Sequence, residues 1–294
     1  MIYRKPKVVE LIYFTGTGGT KRVADEFESG FRKNGLEVWR HEIDHRNKYT
    51  AVKSDLLVVL FPVYALNAPE PVYELIKELP IRNGIPAVVI SVSGGGETTP
   101  NLASRLHAIR RLRERGFRTR YENMIVMPSN ILVQTPESLS IRLLEVLPRK
   151  VEHMIHEILT GVIRRTKPNL FNRMLSCFGE LEKTRLGGRL VGRFIRYNEK
   201  CNGCGSCQRN CPTGNISMRS KSPVFDGKCA LCLRCIYGCP QKALRMRVFG
   251  FVILKQGYRL ENLDHKTSVL SDSEIDKLTL GFGYSGIRKY LREA

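Results

Sequence analysis

The sequence predicts an α/β protein, in which a doubly wound, five-stranded parallel sheet is followed by a small α+β domain rich in cysteine. Two observations carry this prediction. Short apolar segments alternate with segments of helical periodicity through residues 1–165, and eight of the nine cysteines fall within residues 197–248. With 294 residues the chain is long enough to bury a core without disulfide support.

The order of the elements follows from the apolar pattern. Strands are predicted where apolar runs end in loops, at residues 8–14, 36–41, 55–62, 87–92 and 120–127. Helices are predicted where apolar residues recur every three or four positions, at residues 21–33, 70–79, 102–115 and from 137 to about 164. Strands that are separated by helices favour a parallel sheet.

Composition divides the rest of the chain. Residues 166–196 are basic and are predicted to form a connector with one or two short helices. Residues 197–248 form the cysteine-rich domain, and residues 249–294 form a tail whose two helical patterns we expect to pack on the body of the protein. The single tryptophan, Trp39, is expected to pack on strand two.

Several classes of protein are excluded by composition. Hydrophobic residues make up 42% and charged residues 26%, values typical of a folded globular chain. No run of eighteen apolar residues occurs, so no transmembrane segment is predicted. The apolar stretch near the N-terminus, of about seven residues, lacks the features of a signal peptide, and we expect a cytoplasmic location. Thiols stay reduced there, which favours ligands over disulfides.

Eight cysteines form two copies of the pattern C-x2-C-x2-C-x3-C-P. Two spacers let three thiolates converge on one [4Fe–4S] cluster, while the fourth cysteine, followed by proline, binds the other cluster. One cluster is therefore predicted to be bound by Cys201, Cys204, Cys207 and Cys239. The second is predicted to be bound by Cys229, Cys232, Cys235 and Cys211.

A pair of structural zinc sites is the alternative, since zinc also uses C-x2-C pairs. The threefold spacing with a proline after each fourth cysteine favours clusters. Over about 50 residues the segment resembles the bacterial two-cluster ferredoxins, with every ligand position matched. Gly203, Gly205 and Gly238 are expected to leave backbone N–H groups free to approach the sulfurs. Cys177 lies outside the repeat and is expected to be a buried, small apolar residue.

A second motif lies between the first strand and the first helix, and it consists of Thr15, Gly16, Thr17, Gly18, Gly19 and Thr20. Hydroxyl groups and glycine amides at a helix N-terminus form a site for a phosphate. Lys21 stands where a dinucleotide-binding loop needs its third glycine, and no Gly-Lys-Ser/Thr of a nucleotide triphosphate loop is present. The loop resembles the phosphate loop of flavodoxins, which implies a flavodoxin-like fold and bound FMN.

The flavodoxin resemblance covers about 165 residues and implies cofactor contacts at the ends of strands three and four. After strand three these are Pro62, Val63, Tyr64, Ala65, Leu66 and Asn67. Tyr64 is predicted to stack on the flavin ring, with ordinary loop packing as the alternative. After strand four they are Ser93, Gly94, Gly95 and Gly96. Flavodoxins usually carry an aromatic residue in this loop and none is present here, so one flavin face is predicted to be open.

The net charge of +20 comes from 48 Lys and Arg against 28 Asp and Glu. Seven arginines crowd residues 105–120 and ten basic residues lie between 164 and 200, and these are expected to be solvated faces. Anionic cofactors compensate part of the charge, and the remainder favours an acidic redox partner, either a ferredoxin or a reductase. Nucleic acid is disfavoured because no binding motif accompanies the charge. Weak contact with an anionic membrane surface and a small-molecule electron acceptor stay open as alternatives.

Taken together, the chain resembles the flavodoxin–ferredoxin fusion proteins of anaerobes. The resemblance implies electron transfer between two [4Fe–4S] clusters and FMN, coupling one-electron to two-electron redox steps for a partner protein. The alternative is an FMN-dependent reductase that acts on an organic substrate at an open flavin face, with the clusters as its electron supply. No catalytic residue is predicted, because no Ser-His-Asp, Cys-His or paired-carboxylate arrangement stands out.

Overall fold

The computed structural model describes residues 5–182, 192–248, 250–264, 266–268 and 270–293. Its centre is a five-stranded sheet in which every pair of neighbouring strands is parallel. The strand order is β2-β1-β3-β4-β5, formed by β1 (Val8–Tyr13), β2 (Glu37–Glu42), β3 (Leu56–Pro62), β4 (Ile85–Ser93) and β5 (Phe117–Val126). This is the flavodoxin-like doubly wound order, and it confirms the predicted fold class.

Helices cover both faces of the sheet. One face packs against α1 (Gly19–Lys33) and α4 (Glu137–Leu159), and the other against α2 (Glu70–Glu78) and α3 (Leu106–Glu114). Helix α1 buries Val23, Ala24, Phe27 and Phe31, the stripe that the sequence spacing predicts. Strand β3 is buried along nearly its whole length, as expected for a central strand covered on both faces.

The end of α4 differs from the prediction. The helix ends at Leu159, about one turn before residue 164, and it contains Pro148. Gly161 has a φ of 83°, which a helix cannot continue through. Beyond that turn, Arg164 forms a bridge with Tyr121 of β5. The chain therefore leaves the helix to run beside the edge strand.

The cysteine-rich region forms a small α+β domain. β6 (Ile195–Tyr197) pairs antiparallel with β9 (Leu244–Met246), and β7 (Ile216–Arg219) with β8 (Ser222–Phe225). Two one-turn helices each contain the third cysteine of a motif, and they are α6 (Ser206–Arg209) and α7 (Arg234–Tyr237). Its small core consists of Ile195, Leu233, Ile236, Leu244 and Met246. This second domain also agrees with the predicted fold class.

The connector contains α5 (Leu170–Glu182), and its residues 183–191 lie outside the described residues. The C-terminal residues form α8 (Asp272–Leu278) and α9 (Ser285–Arg292). Both helices share an apolar cluster with α4, to which they contribute Ile275, Ile287, Tyr290 and Leu291. In the described part of the chain, no helix has both the length and the apolar character needed to cross a membrane.

Three expectations about individual residues are wrong. Cys177 is exposed, because it lies on the outer face of α5. Trp39 is half exposed on the edge strand β2, where its indole N–H donates to Glu37 at 2.7 Å. Arg105 is fully buried, and its guanidinium donates to Ser91 and to the carboxylates of Glu97 and Glu122. Buried carboxylates need such a partner, so this arginine belongs to the interior.

Candidate functional site

A cavity of about 1760 Å³ lies at the carboxyl ends of the parallel strands. It is lined by the loops that follow β1, β3, β4 and β5, by the second cysteine motif and by residues of the C-terminal tail. The position is the switch point between β1 and β3, where ligands bind in doubly wound sheets. All predicted cofactor-binding residues line the cavity except Gly18, Asn67 and Gly96.

The loop after β1 has the features of a phosphate site. Gly18 has a φ of 95° at the start of α1, and its N–H donates to the hydroxyl of Thr15 at 3.2 Å. The Thr17 hydroxyl accepts a hydrogen bond from Asn130 at 2.9 Å. The Thr20 hydroxyl is buried without a hydrogen-bond partner in the described structure. An orphaned buried hydroxyl at a helix N-terminus fits an anion that supplies the missing partner.

The loop after β3 is a tight turn. Ala65 and Leu66 both have positive φ, at 45° and 63°, and the turn is closed by hydrogen bonds in both directions between Tyr64 and Asn67. Asn67 is buried and reaches away from the cavity, where its side chain bonds to Ser176 of α5. Two consecutive left-handed residues other than glycine are strained, and such strain concentrates at functional sites.

Tyr64 lines the cavity at the contact between the two domains. Its ring meets Phe14 edge-on, with the centroids 6.5 Å apart. Its hydroxyl lies beside Gly16 of the phosphate loop. Burial raises the pKa of Tyr64 well above its usual value, and the nearby Cys232 thiol adds to the shift. The side chain therefore stays neutral between the phosphate loop and the second cysteine motif.

The glycine loop after β4 is held on two sides. A β-carbon at Gly94 would lie 2.7 Å from the Ser129 β-carbon, so this glycine permits contact with the loop after β5. Gly96 has a φ of 76°, and a β-carbon there would lie 2.8 Å from the α-carbon of Gly286 in α9. The outer part of the loop therefore packs on the tail, which explains why Gly96 does not line the cavity.

The tail supplies two aromatic cavity residues that sequence reasoning missed, Tyr258 and Tyr284, which line the cavity together with Gly283 and Ile287. The Tyr258 hydroxyl donates to the carbonyl of Pro128 at 3.0 Å, and it lies 3.8 Å from the place of a β-carbon on Gly19. The lack of an aromatic residue at 93–100 therefore does not leave the cavity without aromatic lining. No local sequence signal could have found these residues, because the contact joins segments far apart in the chain.

The cysteine motifs repeat one hydrogen-bonding pattern. The N–H of Asn215 donates to the Cys211 sulfur at 3.2 Å, and the N–H of Ala243 donates to the Cys239 sulfur at 3.3 Å. Both donors stand four residues after the last cysteine of their motif. N–H groups directed at ligand sulfurs stabilise the thiolate charge and tune a cluster's potential.

The thiols of the two motifs lie close enough together to raise one another's pKa, both within and between the predicted sets. Burial raises the pKa of Cys229 to about 12, and the thiols of Cys232 and Cys211 contribute. Burial also raises the pKa of Cys207, with contributions from Cys201 and Cys239. Such thiols are protonated at neutral pH and release protons when a metal binds. Across the described ranges, no three His, Cys, Asp or Glu side chains form a site for a single metal ion.

The two motifs differ at their left-handed positions. In the first motif these are Gly203 and Gly205, with φ of 71° and 70°, as a turn without steric cost requires. In the second motif they are Leu231 and Leu233, with φ of 55° and 60°. The Leu233 side chain is buried in the core of the small domain, so packing compensates a strained backbone.

The second cysteine motif lies directly against the phosphate loop. A β-carbon at Gly16 would lie 2.6 Å from the carbonyl oxygen of Cys232. Arg234 donates to the carbonyl oxygens of Gly16 at 2.8 Å and Thr15 at 2.7 Å, and it pairs with Glu42 at 3.2 Å. This arginine ties the two predicted cofactor sites together, and nothing in the motif spacing predicts its role.

A second contact joins the domains near the first motif. The N–H of His45 donates to the carbonyl of Pro212 at 2.8 Å, and Arg46 donates to the carbonyl of Arg209 at 2.5 Å. Asp44 anchors Arg46 through its carboxylate. Burial acts to raise the pKa of Asp44, but its hydrogen bonds with Arg46 outweigh burial and hold the pKa below the usual value.

Comparisons with known proteins match parts of this chain. A family model described as a 4Fe–4S binding domain matches residues 195–217. A curated relative, the polyferredoxin protein MvhB of Methanothermus fervidus, is 40% identical over 52 residues, which cover 18% of this chain and 13% of the relative. The chain thus spans only a small part of the length of the curated relative that it matches.

Among solved structures, a flavodoxin from the domain Archaea matches with 11% identity and a TM-score of 0.36, covering 51% of this chain and 98% of that one. A flavodoxin of Streptococcus pneumoniae matches with 16% identity and a TM-score of 0.36, covering 51% and 99%. The fold of the sheet domain is assigned from its strand order, and the iron–sulfur domain from the matched 4Fe–4S model. Together they indicate a general role in electron transfer. The chain joins a sheet domain with the flavodoxin-like strand order to a small domain that contains the match to the 4Fe–4S binding model.

Proposed function

We propose that the chain binds FMN in the cavity and one [4Fe–4S] cluster at each crossed cysteine set, and that it couples one-electron to two-electron redox steps for a partner protein. The observation that carries this proposal is the contact between Cys232 and Gly16, which joins the two predicted cofactor sites without intervening residues. Electron transfer needs such proximity, and the protein's contribution is to position and tune its cofactors.

The residues of the phosphate loop fit the phosphate of FMN. The orphaned hydroxyl of Thr20 and the hydroxyls of Thr15 and Thr17 would hold it, at the positive end of α1. Tyr64 and the glycine loop at 93–95 line the space beside it. When bound, FMN supplies a group that accepts either one or two electrons, and these residues would bind it, orient it and exclude water.

The cysteines fit two clusters, because both motifs share the same spacing and the same N–H donors to sulfur. The first set would be Cys201, Cys204, Cys207 and Cys239. The second would be Cys229, Cys232, Cys235 and Cys211. When bound, the clusters supply one-electron chemistry. Thiols of this kind persist in a reducing compartment, so we also propose a cytoplasmic location.

Charge at the first motif supports an acidic redox protein as the partner. Cys204 is exposed, and the exposed side chains of Arg209 and Lys221 lie over the adjacent glycines. A β-carbon at Gly205 would lie 3.0 Å from the Arg209 guanidinium, and one at Gly203 would lie 2.7 Å from the Lys221 β-carbon. Cations around an exposed ligand loop attract an acidic partner and increase its association rate.

A second candidate function is the direct reduction of an organic substrate. The cavity volume of about 1760 Å³ is larger than the roughly 300–1,000 Å³ of ordinary ligand pockets. FMN would leave room in it for a further small molecule. The two functions differ in the final electron acceptor. Only in a reductase would a small organic acceptor reoxidise the reduced flavin without a partner protein.

The experiment is anaerobic reduction of the purified holoprotein by a reduced acidic ferredoxin, with the flavin absorbance followed by stopped flow. Cys211→Ala should retain FMN but lower the rate of flavin reduction by more than about tenfold. Cys177→Ala is the matched control, since this exposed thiol lies outside both sets. Equal rates in the two variants would refute the proposal. Rapid reoxidation by a small organic acceptor without any protein partner would favour the reductase instead.

A further inference from the structure

Helix α5 buries its polar face and exposes most of its large apolar side chains, which is the reverse of an ordinary surface helix. The residues that face the body of the protein are small or polar, and they are Asn172, Ser176 and Gly179. Four of its large apolar side chains face away from the body, while Leu175 is half-buried. A surface helix of a globular domain ordinarily buries its apolar stripe, so this arrangement requires a second surface.

The inner face of α5 is held by polar and backbone contacts. Asn172 donates to the hydroxyl of Thr99 at 3.3 Å, and Ser176 and Asn67 exchange hydrogen bonds at 2.7 and 2.8 Å. Gly179 lies against the carbonyl of Ala65. Glu180, one position further, pairs with Arg111 at 2.6 Å. The helix is therefore fixed in this orientation, and its outward face is not the result of loose attachment.

The outer face carries four large apolar side chains. Leu170 is 75% exposed, Phe171 57%, Met174 61% and Phe178 64%. At 100° per residue these four fall within about one third of the helix circumference. We name them the α5 patch. Exposed apolar groups of this size and continuity mark a surface that contacts a protein or a membrane.

Basic residues lie before, within and after α5 in the sequence. Arg164, Lys167 and Arg173 are exposed, and Lys167 and Arg173 form no ion pair within the described residues. In sequence, residues 183–191 follow the helix directly and carry three more basic residues and no acidic one. An apolar helix face bordered by cations is the pattern of a helix that lies in the interface of an anionic bilayer.

We propose that the α5 patch docks the protein on the surface of an anionic membrane. With 13 residues, α5 is about 20 Å long, too short to span a bilayer, so it would lie along the surface. A second copy of the chain is a poorer occupant, because two chains of net charge +20 repel each other. The proposal is independent of the cofactors and of the redox function.

The test is flotation of the purified full chain with lipid vesicles. The chain should float with vesicles of equal parts phosphatidylglycerol and phosphatidylcholine, and it should not float with phosphatidylcholine alone. Phe171→Asp with Phe178→Asp should lower the partition coefficient by more than about tenfold. Lys167→Glu with Arg173→Glu should also lower it and should weaken its dependence on salt.

The control is Ile81→Asp, because Ile81 is 76% exposed in the loop before β4 and belongs to no helix. It should partition like the unaltered chain. All replaced side chains are exposed, so equal thermal midpoints will verify that the variants fold. Failure of the chain to bind anionic vesicles, equal binding to neutral vesicles, or equal binding of the Phe171 and Phe178 variant overturns the proposal. Loss of self-association in that variant without loss of vesicle binding also overturns it and assigns the patch to a second copy.

Discussion

Gly16→Ala tests the contact between the phosphate loop and the second cysteine motif by adding one β-carbon at their closest approach. A β-carbon at this position would lie 2.6 Å from the carbonyl oxygen of Cys232 and 3.0 Å from its β-carbon, with the Tyr64 hydroxyl also in its way. Because the obstructing oxygen belongs to the backbone, no side-chain rotation relieves the overlap. The phosphate loop and the second cysteine motif must therefore move apart.

The cost follows from what the movement disturbs. Arg234 bonds the Gly16 and Thr15 carbonyls at 2.8 and 2.7 Å, and these bonds lengthen when the loops separate. Overpacking of this kind costs about 1–3 kcal/mol. Gly19→Ala is the matched control, because the nearest atoms to a β-carbon there lie at 3.8 and 3.9 Å. In the first turn of α1 alanine should be neutral or stabilising by up to about 1 kcal/mol.

The assay is urea unfolding of the anaerobic holoprotein, followed by the absorbance of the cofactors and by circular dichroism. Gly16→Ala should be less stable than Gly19→Ala by roughly 1–4 kcal/mol. It should also separate the unfolding of the two domains, since their contact is weakened. Equal midpoints for the two variants would show that the domains do not meet at Gly16.

The other predictions concern single residues. Cys211→Ala should lower the iron content from about eight to about four per chain, with loss of the cluster at the second motif; loss at the first motif would contradict crossed binding. Arg234→Met should cost about 1–3 kcal/mol in urea unfolding, because two carbonyl oxygens and a carboxylate lose their donor, and an unchanged midpoint would refute the role given to this arginine. Gly286→Ala should weaken FMN binding by about tenfold in a fluorescence titration, because a β-carbon there meets the backbone of the glycine loop. Gly250→Ala is the control, because a β-carbon there has open space and the residue does not line the cavity. Burial raises the pKa of Glu10, although hydrogen bonds from neighbouring hydroxyl groups act to lower it. The native state therefore binds more protons than the unfolded state, and it loses stability as the pH rises through this pKa. Glu10→Gln should therefore unfold at higher urea at pH 7, with the advantage shrinking toward pH 4.5; a pH-independent difference would contradict this reasoning.

Local patterns predicted the sheet domain and both cofactor motifs. Apart from the end of α4, the strands and helices of the sheet domain occur close to their predicted bounds, because apolar periodicity is a property of neighbouring residues. The cysteine spacing is equally local, and the hydrogen bonds to Cys211 and Cys239 repeat with it. The loop after β1 begins a helix at Gly19, as its glycines and threonines indicate.

What the sequence could not predict depends on contacts between distant segments. In the sequence, nothing distinguishes Arg234 from the many other basic residues. Its contact with the phosphate loop depends on the packing of two distant segments. Tyr258 and Tyr284 reach the cavity from a tail without a motif. Cys177 was expected to be buried because free cysteine is usually buried, but α5 turns its apolar face outward. Exposure of a helix face depends on what it packs against, which periodicity alone does not give.

The proposed function requires one chain to hold FMN and two [4Fe–4S] clusters at adjoining sites. The most direct measurement is the content of iron, acid-labile sulfide, zinc and flavin in the anaerobically purified chain. We expect about eight iron atoms, about eight sulfides and about one FMN per chain. A colourless protein with about two zinc ions and no flavin would contradict it.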